Sequence, residues 1–333
     1  MNKVSYSVVI RTLGNTGDKY KALLDSIDSQ ILKPEEVIVV IPNGYELDYR
    51  LGYERVVHSE KGMVMQRAIG IREAKSDYVL VLDDDLQFDE HFVFQLYESL
   101  NKNDLDCVLS FPKISEDDVQ LNNKTLDFKT KMKSYFDGFR RVLTGQHIVT
   151  YCKEEKWFDV VTPSAGHKTY ESNPLGLCTC GCFQCFFAKT VVAQEVRFED
   201  EMWLEQGTIS RYAAYDDMVF FYKMYLNGGR IAYSDKARYV HLDAGAGRPA
   251  KSKLEAKRIR LYTISRNRTI FWKKYLLKPA PTFTRKTRVF LGGYCAFFNY
   301  AIYNMVVNVN PKNWKAIVAM FKGYKEAAQY RSV

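Results

Sequence analysis

The sequence predicts an α/β fold with a mostly parallel sheet flanked by helices, followed by a basic helical extension. Apolar, β-branched runs such as Tyr6–Arg11 alternate with amphipathic runs such as Asp18–Gln30. Parallel strands need crossover connections, which are usually helices, so this alternation indicates a parallel sheet. The second observation is charge: the net charge of +9 arises from a strongly basic segment after residue 250. We therefore predict two parts, residues 1–248 and 249–333.

The elements of the first part follow in order along the chain. Each strand is a short apolar run, and the second ends at the turn signal Pro42-Asn43-Gly44. The stretch Pro112–Pro174 is polar and rich in lysine and aromatic residues, and the pattern assigns no elements to it. The elements predicted after Asp18–Gln30 are strands at Glu36–Ile41, Tyr78–Leu82 and Asp106–Phe111, helices at Gly62–Ala74 and Phe88–Leu100, a strand at Leu177–Ala188, a helix at Ala213–Leu226, and short strands at Arg230–Ala232 and Arg238–His241.

Composition is that of a folded protein, with 333 residues of which 47% are hydrophobic and 26% are charged. The N-terminus enters a strand without an apolar leader, which predicts a cytoplasmic location. The seven cysteines are then expected to be thiols. Cys178, Cys180 and Cys182 alternate along one face of a predicted strand, with Cys185 shortly after, and this spacing favours small buried thiols over zinc ligands.

The extension is strongly cationic. Residues Lys251–Val333 contain 18 Lys and Arg but only two acids, Glu255 and Glu326, which gives a local net charge of +16. Such a segment is expected to meet an anionic partner: phospholipid head groups, nucleic acid or a polyphosphate. Its uncharged run Val289–Pro311 is long enough to span a bilayer, yet it contains four asparagines and basic residues flank it. A helix lying in the membrane interface fits better than a protein-packed helix or a membrane span.

Three adjacent carboxylates, Asp83, Asp84 and Asp85, follow the predicted strand Tyr78–Leu82. In open parallel sheets, ligands bind outside the carboxyl ends of the strands. Three neighbouring carboxylates repel one another unless a cation neutralises them, and they supply the oxygen ligands that a divalent metal prefers. The motif therefore predicts a site for a metal–diphosphate complex. The alternative is a solvated acidic turn before a helix, where negative charge is favourable.

A second acidic pair, Asp216-Asp217, opens the predicted helix Ala213–Leu226. One of these carboxylates is suited to accept a proton from a substrate hydroxyl. The alternative is that Asp216 caps the helix. His241 ends a short strand and is a candidate ligand for a metal or a phosphate, although an isolated histidine is more often structural.

These motifs belong to longer segments with the order and spacing of a known family. The segments are SVVIRTLGN at residues 7–15, GMVMQRAIGIREAKSDYVLVLDDD at residues 62–85, and YAAYDDMVFFYKMYLNGGRIAY at residues 212–233. Over roughly residues 5–245 the chain resembles glycosyltransferase family 2, whose members have the GT-A fold with a Rossmann-like sheet. The resemblance implies inverting transfer of a sugar from a nucleotide-sugar, a UDP-sugar being favoured, with Mn²⁺ or Mg²⁺ as cofactor.

The resemblance also implies roles for single residues. Asp217 matches the catalytic base, and Asp85 matches the metal ligand beneath the diphosphate. Asp83 contacts the ribose or the metal, and His241 matches a later histidine that reaches the metal or the diphosphate. The remaining donor-binding residues are expected to be Arg11, Thr12, Asn43, Arg67 and Asp84.

The expected partners are the nucleotide-sugar donor, a lipid-linked or glycan acceptor, and the anionic inner face of the cell membrane, with peripheral attachment and no nucleic acid. Two other functions are weighed. A sugar-nucleotide nucleotidyltransferase is disfavoured, because Leu13–Gly17 holds no basic residue for a phosphate loop. A non-catalytic membrane-bound scaffold is disfavoured because it has no need of Asp83, Asp85 and Asp217 together.

Overall fold

The computed structural model describes residues 4–113, 157–170, 176–242, 252–307 and 311–330. The chain divides into two compact units. The first contains residues 1–113, 155–159 and 170–249, and the second contains residues 114–154, 160–169 and 250–333. Most of the stretch that the sequence leaves without elements, residues 112–174, lies outside the described residues. So do residues 249–251, where the sequence predicts the start of the basic extension.

The first unit confirms the predicted α/β fold. Its four N-terminal parallel strands lie in the order β3-β2-β1-β4, so that β1 is flanked on both sides. Arg11 and Asp83 pair at the ends of β1 and β4. Parallel neighbours end at the same edge of a sheet, so the register brings these two side chains together. The strands are β1 (Tyr6–Arg11), β2 (Glu36–Pro42), β3 (Arg55–Ser59) and β4 (Tyr78–Asp83).

The sheet continues beyond β4 as a mixed sheet. β10 is antiparallel to both β4 and β6, whereas β11 runs parallel to β6. β11 also pairs with β5, opposing His241 to Leu86. These strands are β5 (Leu86–Phe88), β6 (Cys107–Pro112), β7 (Trp157–Val161), β8 (His167–Thr169), β9 (Leu177–Cys178), β10 (Cys185–Lys189) and β11 (Ile231–His241).

Three strand predictions are wrong in detail. The predicted strand Leu177–Ala188 is two strands, β9 and β10, separated by a loop. The two short strands predicted around Arg230–His241 form the single strand β11, which a bulge interrupts after Tyr233. The sequence prediction also omits β3 and β5. Both are short, and β3 is only partly buried, so neither carries the continuous apolar run of a central strand.

The helices of the first unit pack their apolar faces on this sheet, and α2 approaches most closely. A Cβ atom added at Gly70 would lie 2.3 Å from Val9 Cγ1 and 3.2 Å from Val40 Cγ2, so only glycine lets α2 reach β1 and β2. The helices are α1 (Asp18–Asp28), α2 (Met63–Glu73), α3 (Phe92–Lys102), α4 (Thr190–Glu195) and α5 (Asp216–Leu226).

The second unit is helical in its C-terminal part. Its elements are α6 (Lys253–Phe271), a π-helical turn (Trp272–Leu277), α7 (Phe283–Val307) and α8 (Trp314–Gln329). α6 and α8 pack at Gly323, where an added Cβ would lie 2.4 Å from Tyr262 O. Trp272 donates its indole N–H to Val289 O at 3.0 Å and so ties the π-helical turn to α7. Among the described residues, none of the helices combines the length and the apolarity that a membrane span requires.

The described cysteines form no disulfide bonds. Cys178, Cys180 and Cys185 are buried, and Cys182 is partly buried. Burial raises the pKa of Cys178 to about 12 and that of Cys182 to about 11. These thiols therefore remain protonated at neutral pH and pack as small apolar groups.

The close approach at Gly70 gives a test of the packing. Gly70→Ala should lower the free energy of unfolding by about 1–3 kcal/mol, the usual cost of overpacking. That cost exceeds the gain in helix propensity of about 1 kcal/mol. Urea denaturation followed by tryptophan fluorescence measures the change. In the double variant Val9→Ala/Gly70→Ala the loss should be smaller than the sum of the single losses, because the clashing methyl group is gone. A Gly70→Ala variant more stable than the wild type would contradict this packing.

Candidate active site

The candidate site begins at the edge of the sheet where β1 and β4 end. Arg11 Nε donates to Asp83 Oδ1 at 3.1 Å, so the last residues of the two strands form an ion pair. Burial acts to lower the pKa of Arg11, but the carboxylates of Asp83, Asp84 and Asp216 outweigh it and raise that pKa. The guanidinium group therefore remains charged among the carboxylates.

Arg67 joins this edge of the sheet to the second acidic pair. Its Nη2 donates to Asp83 Oδ1 at 2.9 Å, and its Nη1 donates to Asp216 Oδ2 at 2.6 Å. The side chain is only 2% exposed, and its guanidinium carbon lies 4.2 Å from the centroid of the Phe183 ring. One buried cation thus connects the end of β4 with the start of α5. The predicted contact between Arg67 and the nucleotide stays a prediction.

Gln66, the neighbour of Arg67 on α2, fastens this helix to the sheet. Its Nε2 donates to Thr12 O at 2.9 Å and to Val40 O at 2.8 Å, at the ends of β1 and β2. The residue is 2% exposed, so both hydrogen bonds lie away from water. These hydrogen bonds hold α2 against the ends of β1 and β2 and therefore help to position Arg67.

Glu205 fastens the first turn of α2 and is absent from the sequence predictions. Its Oε2 accepts from Val64 N at 2.9 Å and its Oε1 accepts from Met65 N at 3.3 Å. Burial raises the pKa of Glu205, and the two backbone N–H donors oppose that rise. The sequence gives one indirect signal: α2 follows Gly62 and has no acid in its first turn, so its N–H groups need a distant acceptor.

The three adjacent carboxylates have three different environments. Burial acts to raise the pKa of Asp83, but Arg11 and Arg67 outweigh it and hold that pKa below its ordinary value. Burial raises the pKa of Asp84, whose Oδ2 accepts from Thr12 Oγ1 at 2.6 Å. The hydrogen bond between Thr12 and Asp84 thereby stabilises the loop after β1. Their predicted donor contacts stay predictions.

Asp85 lies beside His241, because β5 and β11 pair directly after the acidic motif. His241 Nε2 lies 3.3 Å from Asp85 Oδ2, and Leu242 N donates to Asp85 O at 2.8 Å. A carboxylate oxygen and an imidazole nitrogen at this separation fit two neighbouring ligands of one Mn²⁺ or Mg²⁺ ion. Asp83, the third predicted ligand, has its Oδ1 engaged by two arginines. The chemistry of the donor set therefore fits a divalent cation at Asp85 and His241.

The acidic pair occupies the first turn of α5, where a helix favours negative charge. Asp216 is buried and bound to Arg67, whereas Asp217 is only partly buried. Asp217 Oδ1 accepts from Met218 N at 2.7 Å. The preceding residue, Tyr215, has a left-handed backbone with φ 71° and supplies no side-chain cap. The two acids are thus distinct: one is structural, and the other is the more accessible to a substrate.

Asn43 lies at the same edge of the sheet, in the turn that follows β2. Its side chain is exposed, and its backbone N–H donates to Ser59 O at 2.8 Å. Gly44, the next residue, has φ +78° and permits the tight turn. Arg11, Asn43, Asp83 and Asp85 therefore all follow or end neighbouring parallel strands. Such an edge binds nucleotides in open α/β sheets.

The model of the family described as "Glycosyl transferase family 2" matches residues 7–155, which include β1, α2 and the acidic motif after β4. This part of the chain belongs to glycosyltransferase family 2. The match covers a little less than half of the chain, and it agrees with the family that the sequence resembles. None of the curated proteins compared with the chain matches it.

Solved structures that resemble this chain include proteins from two organisms. The mannosyltransferase PcManGT from Pyrobaculum calidifontis, in complex with GDP-Man and Mn²⁺, is 13% identical, with 100% of this chain and 77% of that chain covered and a TM-score of 0.49. S. aureus TarS 1-349 is 12% identical, with coverage of 98% and 93% and a TM-score of 0.42. Its complex with UDP-GlcNAc is 14% identical, with the same coverage and a TM-score of 0.43.

The Arg67 bridge makes a prediction about stability. Arg67→Met should lower the free energy of unfolding of the protein by about 3–5 kcal/mol, because the buried carboxylate of Asp216 loses its guanidinium partner and Asp83 keeps only Arg11. Arg72→Met is the matched control on the same helix, since Arg72 is 59% exposed and its pair with Glu73 is long at 3.9 Å. The control should change stability by less than about 0.5 kcal/mol. Equal effects of the two substitutions would refute the bridge.

Proposed function

We propose that this glycosyltransferase moves a sugar from a nucleotide-sugar to a lipid-linked or polysaccharide acceptor and inverts the anomeric centre, with a divalent cation as cofactor. A UDP-sugar is the favoured donor. The observation that carries the proposal is the Arg67 bridge between Asp83 and Asp216. It connects the acidic motif after β4, which suits a metal–diphosphate complex, to the acidic pair, which suits proton transfer. Both requirements of sugar transfer are thus met at one edge of the sheet.

The donor half of the site is built from the ends of the first strands. The turn at Asn43 and the loop after β1, braced by Thr12 and Asp84, are positioned to hold the nucleotide. Asp85 and His241 would hold Mn²⁺ or Mg²⁺ beneath the diphosphate. When bound, this cation neutralises the charge that develops on the departing diphosphate.

The acceptor half depends on Asp217. We propose that its carboxylate accepts the proton of the acceptor hydroxyl. The hydroxyl oxygen then forms a bond to the anomeric carbon as the bond between that carbon and the diphosphate breaks. Attack from the face opposite the leaving group inverts the anomeric configuration. Asp216 is unsuited to this task because its Oδ2 is already bound to Arg67 at 2.6 Å. Its role is to hold the start of α5, and with it Asp217, in place.

Substitution of the acidic pair tests this division of labour. Asp217→Asn should lower kcat by roughly 10²–10⁴-fold, the usual contribution of a positioned base, with donor affinity little changed. Asp216→Asn is the matched control: it should lower kcat less and stability more, since it weakens the pair with Arg67. Steady-state kinetics and thermal unfolding measure both effects. A reversed ranking of the kcat values would rule out Asp217 as the base.

The metal proposal has a separate test. Excess EDTA should abolish transfer, and added Mn²⁺ or Mg²⁺ should restore it, because the leaving diphosphate loses its counter-charge without the ion. Asp85→Ala and His241→Ala should each weaken the dependence of donor binding on added metal, measured by calorimetry. Glu90→Ala, an exposed acid shortly after the motif, is the control and should have no effect. Full activity in EDTA would contradict the assignment.

We further propose that the helical extension attaches the enzyme to the inner face of the cell membrane. α7 exposes large apolar side chains, among them Phe290, Leu291 and Phe298, which are 45%, 56% and 67% exposed. Basic residues precede this face at Arg285 and Lys286. A helix with an exposed apolar face and cationic ends lies in the interface between water and acyl chains. Such attachment would bring the site to a lipid-linked acceptor.

A further inference from the structure

A short loop, Cys182–Gln184, reaches the edge of the sheet where the acidic motif lies, directly before β10 begins at Cys185. Gln184 O accepts from Asp83 N at 3.0 Å, so the end of the loop is level with the end of β4. Phe183, the middle residue, is 3% exposed and packs against the guanidinium group of Arg67. Its two neighbours, Cys182 and Gln184, are only partly buried, so both are accessible to a ligand at this edge.

The position of Gln184 follows from its two contacts. Its backbone N–H donates to the thiol of Cys182, whose pKa is raised to about 11 by burial and, to a smaller extent, by Asp217. Its side chain contacts Tyr239, whose pKa is raised by burial and, to a smaller extent, by neighbouring groups that include Asp85. Charges act in this way only over short distances. Gln184 therefore lies between the two carboxylates to which the proposed function gives the proton and the metal.

Tyr239 fixes the orientation of the Gln184 side chain. Its hydroxyl donates to Gln184 Oε1 at 2.5 Å, and the tyrosine is held in β11 with 1% of its surface exposed. A carboxamide has one oxygen acceptor and one NH₂ group with two donors. Because the oxygen is bound by the phenol, the NH₂ group points away from Tyr239. Among the described residues, Gln184 Nε2 makes no hydrogen bond, so an oriented donor remains available.

The proposed reaction determines which part of the donor lies beside this amide. The anomeric carbon is bonded to the diphosphate, which the metal at Asp85 would hold, and the attacking hydroxyl gives its proton to Asp217. The transferred sugar must therefore lie between Asp85 and Asp217, where Gln184 lies. An NH₂ group needs an oxygen acceptor, and the hydroxyl groups of a sugar supply one at almost every ring position.

We propose that Gln184 binds the transferred sugar, with Nε2 donating a hydrogen bond to one of its hydroxyl oxygens, and that Tyr239 is the positioning residue for this contact. The inference rests on the proposed function and adds a determinant of sugar specificity to it. A site built to form a hydrogen bond with a substrate hydroxyl discriminates against analogues that lack this group, because its own polar group then stays unpaired.

The test is calorimetry of the full-length chain in saturating Mn²⁺ with UDP and with one UDP-sugar. The UDP-sugar is the one that the wild type hydrolyses fastest among UDP-glucose, UDP-galactose, UDP-N-acetylglucosamine and UDP-N-acetylgalactosamine. Gln184→Met keeps the size of the side chain and removes both N–H donors. It should weaken binding of the UDP-sugar about 3–10-fold, the usual contribution of one hydrogen bond, and leave binding of UDP unchanged.

Two further variants distinguish this contact from a general loss of structure. Gln95→Met, the matched control, changes a partly buried glutamine on α3 and should affect neither ligand. Tyr239→Phe should weaken binding of the UDP-sugar by a smaller factor, because the amide keeps its donors and loses only its orientation. In Gln184→Met/Tyr239→Phe the loss should equal that of Gln184→Met alone, since Tyr239 acts through Gln184. Thermal unfolding confirms that each variant is folded.

Deoxy analogues of the same UDP-sugar identify the hydroxyl group. With one hydroxyl at a time replaced by hydrogen, a single analogue should bind the wild type about 3–10-fold more weakly than the parent because of this contact. Gln184→Met should bind that analogue and the parent equally, whereas Gln95→Met should discriminate between them like the wild type. A variant Gln184→Met that discriminates among the analogues as the wild type does would overturn the proposal.

The remaining outcomes separate this inference from the proposed function. If Gln184→Met weakens UDP and the UDP-sugar by the same factor, the amide contacts the nucleotide part, and the inference is overturned while a UDP-sugar remains the donor. Unchanged binding of both ligands would likewise overturn only the role of Gln184. A wild type that binds neither UDP nor any of the four UDP-sugars would overturn the proposed donor and, with it, this inference.

Discussion

The buried guanidinium group of Arg67 is the interaction on which the rest of the site depends. It binds Asp83 at the end of β4 and Asp216 at the start of α5, two residues that are far apart in the sequence. A buried cation is costly unless it is paired, and each of its carboxylates is equally costly without it. The three charges therefore stabilise one another only as a set. Gln66 and Glu205 contribute to this arrangement, because their hydrogen bonds hold α2 in the position from which Arg67 reaches both partners.

This arrangement explains how adjacent aspartates acquire different tasks. Arg11 and Arg67 keep the pKa of Asp83 low, so that it serves as a fixed anion. Asp84 accepts a hydrogen bond from Thr12, and Asp85 lies beside His241 because β5 and β11 pair. The acidic pair divides in the same way, since Asp216 is held by Arg67 and Asp217 is more accessible. In each motif one carboxylate is bound to Arg67, and the proposed function assigns the metal and the proton transfer to others, Asp85 and Asp217.

Local patterns predicted the fold well, because burial alone determines the central strands. β1 and β4 are continuous apolar runs, and the acidic motif follows β4 as expected. The family was confirmed for the same reason: its motifs are short and local. Glu205 and Val64 are 141 residues apart in the sequence, and no local sequence pattern indicates a contact between residues so far apart. The split of Leu177–Ala188 into β9 and β10 was also missed, since a loop between two buried strands keeps an apolar composition.

The reaction that we propose is a single displacement in which the acceptor hydroxyl, with Asp217 as proton acceptor, attacks the anomeric carbon directly. The anomeric configuration of the glycoside product tests it most directly. Transfer from an α-linked nucleotide-sugar should be followed by proton NMR, and the coupling constant of the new anomeric proton should be read before any further reaction. We expect a β-linked product. An α-linked product would show that the configuration is retained and would contradict the assignment of Asp217 as the base in an inverting reaction.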